Sequence, residues 1–216
     1  MLQIANILLY VSILSVLIPI FLLLRRKQSF KDACLKILGV LLFVSAFADL
    51  ISFLLLKMSK LFIPILNFYT LIEFFLLSYI YFLLGKNKKV VFIIFILFAI
   101  FFVIDTICIE PFYEFQSLPV FIEGSVLIVY SVTYYIKTIR AIPPIDPFDS
   151  YPFWINSAIF YYFSFNMFLF IFGNYVYKNM PKDVSAVYWS FHNFNNIIKN
   201  IVFTVAIYIA RKNFTK

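Results

Sequence analysis

Several ionisable residues stand inside long apolar runs of this chain: Asp49, Glu73, Asp105, Glu123, His192 and Lys199. A charge in such surroundings is costly, so its presence points to ion pairing, proton transfer or ligand binding. The densest pattern is near the carboxyl end. Tyr188, His192, Asn195, Asn196 and Lys199 recur at steps of three and four, with Asn193 and Asn200 beside them. That spacing puts one polar stripe on one side of a helix. Asn166 sits on a further apolar run with Tyr162 and Gly173. The candidate ligand-binding or charge-relay set is therefore Glu73, Lys199, Asp49, His192, Asn195, Asn196, Asn166 and Glu123.

Counting 1.5 Å per residue from the outer helix ends puts Glu73 at roughly 16 Å depth and Lys199 at roughly 22 Å. Opposite charges this close in depth are expected to pair, because pairing is the cheaper way to keep both ionised in a poor solvent for ions. The other acids fall in the outer half, which gives a polar cavity that opens outward. Acids outnumber bases in the set, so a cation or a proton suits it better than an anion. No catalytic residue is assigned. There is no His-x-x-x-His, no Gly-x-Ser-x-Gly and no Cys-x-x-Cys, and an acid–base pair of Asp49 and Glu73 is the only enzymatic arrangement in view. With one histidine and two cysteines, no metal site is expected.

The elements that must position these groups follow from composition. The 216 residues are 64% hydrophobic and 13% charged, far from a soluble domain, and a chain this small cannot hide that much apolar surface. Apolar runs of bilayer-crossing length occur at about 2–24, 36–56, 62–84, 89–109, 118–139, 152–176 and 184–210. They do not alternate apolar and polar, which excludes barrel strands. The expected fold is an all-α membrane protein, one domain over 1–216, a bundle of seven transmembrane helices. No basic residue precedes the first run and Arg25, Arg26 and Lys27 follow it, the reverse of a cleaved signal, so it is kept as a mature helix. Runs one and four are nearly bare of polar groups and are expected to face lipid or to pack. Cys34 and Cys108 fall near opposite faces, too far apart to bridge.

The net charge of +8 lies in short clusters between the runs, not on a basic face, so nucleic acid is not an expected partner. Loops one, three and five and the tail carry most of the Lys and Arg residues. That side is cytoplasmic by the positive-inside rule, with the amino terminus outside and the carboxyl terminus in the cytoplasm. The expected location is a cell membrane, as a multi-pass protein of a bacterial inner membrane. The proline-rich connection 142–152 is a stiff connector, or a docking loop for a cytoplasmic partner.

Segments such as Phe68-Tyr69-Thr70-Leu71-Ile72-Glu73-Phe74 and His192-Asn193-Phe194-Asn195-Asn196-Ile197-Ile198-Lys199-Asn200 resemble those of small uncharacterised seven-helix bacterial membrane proteins. The topology is also similar to that of microbial rhodopsins. That likeness implies retinal on Lys199 and a counterion role for Glu73. The chain departs from the rhodopsin pattern at Asn195, where pumps carry an aspartate four residues before the lysine, and it lacks a central Pro or Trp in the sixth run. The leading functional expectation is a sensor or receptor-like ligand-binding protein that signals to a separate cytoplasmic partner. The alternative is a small proton- or cation-coupled transporter or channel subunit.

Overall fold

The computed structural model describes residues 2–25, 32–85, 88–140 and 146–213, and it is helical almost throughout. The helices are α1 (Leu2–Ser15), α2 (Leu17–Leu24), α3 (Ala33–Lys57), α4 (Ile63–Leu84), α5 (Lys88–Cys108), α6 (Ser117–Arg140), α7 (Tyr151–Asn179) and α8 (Lys182–Asn213). Counting α1 and α2 as one span, six helices are long and apolar enough to cross a membrane. The seventh, α8, has the length but not the composition. Its histidine, asparagines and Lys199 make it the most polar helix of the bundle.

Local chemistry explains the helix ends. The first span breaks at Val16 because Pro19 has no N–H to give to the Ser15 carbonyl and its ring crowds that group. Asp32 caps α3, its Oδ1 accepting from the Leu35 amide at 2.9 Å. At the other end of α3, Ser59 adopts φ 53°, and the Ser59 and Lys60 amides return to the Leu56 and Leu55 carbonyls. This is the left-handed helix stop that usually carries glycine. Pro152 occupies the first turn of α7, as expected from the sequence. At 1.5 Å per residue, the 29 residues of α7 and the 32 of α8 extend about 44 and 48 Å, well past a hydrocarbon core of about 30 Å.

The helices close into a ring. α8 packs between α7 and the broken first span, α7 against α6, α6 against α4 and α5, α4 against α3, and α3 against α2. α5 touches mainly α4 and α6 and exposes a band including Phe92, Ile96, Leu97, Ile100, Val103 and Ile107. It is the outward-facing helix that its bare sequence suggested. The first span is the packing helix of the two. It exposes Ile4, Ile7, Val11 and Leu14, but it buries Ser12 and Ser15 against α8. The interior is filled by aromatic and aliphatic side chains such as Phe74, Phe98, Leu127 and Phe163. Of the basic residues behind the orientation expectation, Arg26, Lys27, Lys31, Lys86 and Lys216 lie outside the described residues, as do 142–145 of the proline-rich connection. Cys34 is buried and Cys108 exposed, and both thiols are free.

Candidate functional site

Glu73 lies midway along α4 and faces inward, where the ring leaves it buried. Tyr69, one turn earlier on the same helix, donates its hydroxyl to Glu73 Oε1 at 2.9 Å. The i, i+4 spacing on one helix is what lets the two side chains meet. From across the ring, Lys199 of α8 brings its Nζ to 3.9 Å from the same oxygen. The same ammonium lies 4.1 Å from the centroid of the Tyr162 ring on α7. Lys199 thus makes the two contacts by which proteins hold an organic ammonium, a carboxylate and an aromatic face.

Two more acids join this cluster. Asp49 of α3 is close enough for its carboxylate to interact with Lys199 and Glu73. Glu123 of α6, 1% exposed, interacts with the same two charges. Glu123 Oε1 has no hydrogen-bond partner. His192 feels the Lys199 charge, and its buried Nδ1 is also unpartnered. Its ring is set among Tyr162, Phe170 and Trp189 at centroid distances of 5.7, 5.8 and 5.8 Å. If all four were ionised, three carboxylates would face one ammonium, leaving the cluster two negative charges in excess.

The structure therefore pairs Glu73 with Lys199 and sets Asp49, Glu123 and His192 within electrostatic reach of that pair. It places the three candidate asparagines differently. Asn195 donates to Asn166 Oδ1 at 3.2 Å and accepts from the Tyr161 hydroxyl at 3.0 Å. Asn166 donates to the Tyr162 carbonyl at 2.7 Å. Asn196 and Asn200 donate to the Ser12 and Ser15 hydroxyls at 2.9 and 2.7 Å. These amides join α8 to α7 on one side and to α1 on the other, the use that polar side chains commonly have between membrane helices.

Tyr69, Ser12 and Ser15 were not among the expected site residues. The step of four from Tyr69 to Glu73 and the two serines three apart on the first helix were the available signals. An apolar groove of about 680 Å³, lined by residues including Leu2, Leu169, Val187 and Phe191, opens between α1, α7 and α8 and does not include Glu73 or Lys199. Among the described residues, no group of three or more His, Cys, Asp or Glu side chains is arranged to hold a metal ion. No family model, curated protein or solved structure matches the chain.

Proposed function

We propose that the chain crosses the membrane seven times, with its amino terminus outside and its carboxyl terminus in the cytoplasm. In this reading α8 is the seventh crossing, its polar face turned into the ring and away from lipid. The cluster of buried Glu73, Glu123 and Lys199 with half-buried Asp49 is a binding site for a cation or a proton. The protein acts as a sensor that passes occupancy of that site through its basic cytoplasmic loops to a separate partner. One observation carries the reading: Lys199 is held by Glu73 and Tyr162 while Glu123, fully buried, keeps an unpartnered carboxylate oxygen. A bundle that needed only one internal ion pair would not fully bury a second carboxylate, Glu123, and half-bury a third, Asp49, because an uncompensated charge costs several kcal/mol, on the order of 2.5–3.5 by insertion scales.

The helices carrying the cluster, α3, α4, α6 and α8, run unbroken past it. The site is built from side chains, without the unwound backbone with which many transporters make their midplane sites. This favours binding and signalling over carriage. A transporter is the second reading, favoured by the break at Val16, whose neighbours Ser12 and Ser15 contact α8.

Thermal unfolding of the protein in nanodiscs, scanned over pH and with Na+, K+ or tetramethylammonium, tests the first reading. Stabilisation by acid or by one of the cations is expected, and it should be lost in Glu123→Gln. A flat response in the wild type would remove the proposal. Cation or proton flux in proteoliposomes, abolished by Glu73→Gln, would establish the transporter instead.

A further inference from the structure

A second set of buried polar groups lies away from this cluster, where α5 ends and the chain turns into α6. Asp105 is completely buried, and both of its carboxylate oxygens lack a hydrogen-bond partner. Its charged neighbour is another acid, Glu110. Glu110 is itself fixed: Oε2 accepts from the Leu118 amide at 2.9 Å and Oε1 from Asn174 Nδ2 at 2.9 Å. Gln116, 1% exposed, donates its Nε2 to the Glu110 carbonyl at 3.0 Å and to the Thr106 hydroxyl at 2.8 Å. The carbonyl oxygens of both amides, Gln116 Oε1 and Asn174 Oδ1, are buried and unpartnered.

These orphans share one character: all are acceptor oxygens. The side-chain amide N–H groups of Gln116 and Asn174 are spent on Glu110 and Thr106. Lys178, at the end of α7, is engaged by Glu114. A proton on Asp105 would supply one donor and leave the two amide oxygens unmet. A cation would satisfy carboxylate and amide oxygens together and cancel two negative charges. The donor set contains oxygen only, which selects a hard ion. Calcium fits it better than magnesium, since calcium takes mixed carboxylate and carbonyl ligands in irregular geometry, whereas magnesium demands a near-ideal octahedron and keeps its waters.

We propose that Asp105, Glu110, Gln116 and Asn174 form a calcium-class cation site that ties the α5–α6 turn to the end of α7. The site is independent of the central cluster. Its affinity belongs with weak extracellular sites, with a Kd on the order of 0.1–1 mM, because only two carboxylates contribute.

The test uses the purified full chain in nanodiscs after chelation. Addition of about 5 mM CaCl2 should raise the unfolding midpoint by about 2–5 °C. Equilibrium dialysis with radioactive calcium should find one ion per chain. Asp105→Asn should abolish the rise, whereas Glu73→Gln and Glu123→Gln should keep it, which separates this site from the central one. Absence of calcium binding by the wild type overturns the proposal whatever the variants do. So does an equal rise in Asp105→Asn, or an equal rise with magnesium or with NaCl at matched ionic strength.

Discussion

The Lys199 ammonium is shared between the Glu73 carboxylate and the Tyr162 ring, and both lie on helices other than its own. Removing one member of a buried pair leaves the other uncompensated, which typically costs about 3–5 kcal/mol, while replacing both by neutral groups of similar size is often neutral or stabilising. Lys199→Met is therefore expected to lower stability by about that amount. Glu73→Gln combined with Lys199→Met should recover most of it, as read from unfolding in detergent. Equal losses in the single and double variants would show that the two charges are not coupled. Tyr69→Phe removes a hydrogen bond to a charged group and should cost about 1.5–3 kcal/mol in the wild type but little in a Glu73→Gln background. The charged residues were legible in the sequence because each interrupts an apolar run. Their partners were not, since Tyr69 and Tyr162 are ordinary aromatic residues in a chain that is 22% aromatic. Only the ring of helices gives them a role.

At the scale of elements, α8 is held from two sides by asparagines. Asn196 and Asn200 bond to Ser12 and Ser15 on α1, and Asn195 bonds to Asn166 on α7. The polar stripe was readable from its spacing of three and four. Its division between helix contacts and charged site was not. An amide bonded to a neighbouring helix and an amide facing a ligand have the same sequence signature, and only the position of α1 and α7 separates them. A double-mutant cycle of Asn196→Ala and Ser12→Ala should return a coupling of about 0.6 kcal/mol, the mean for such bonds between membrane helices. No coupling would detach α1 from this face of α8. Ser59 offers a test of opposite sign. Its left-handed backbone, φ 53°, suits glycine better than serine, so Ser59→Gly should raise stability by up to about 1 kcal/mol.

At the scale of the molecule, six apolar spans and their approximate limits were legible, because a bilayer imposes a minimum length and leaves backbone groups no partner but each other, while the break of the first at Val16 was not. The run at 184–210 was expected as a seventh span, and its helix, α8, is long enough but falls short in composition: the side chains that give it a buried polar face also make it the least apolar of the long helices. With the proposed orientation, Cys108 at the end of α5 is exposed on the outer side and Cys34 is buried at the inner end of α3. A membrane-impermeant maleimide added to intact cells should label the wild type, and the label should vanish in Cys108→Ser. Labelling that requires permeabilised cells would invert the topology.

The excess of buried acid around Lys199 is the feature on which the functional proposal stands. The most direct measurement is the cation and pH dependence of unfolding for wild type and Glu123→Gln, side by side in the same nanodiscs. The expected result is a stabilisation by acid or by one monovalent cation in the wild type that Glu123→Gln removes. An identical response in both proteins, or none in either, would contradict a cation- or proton-binding site at this cluster.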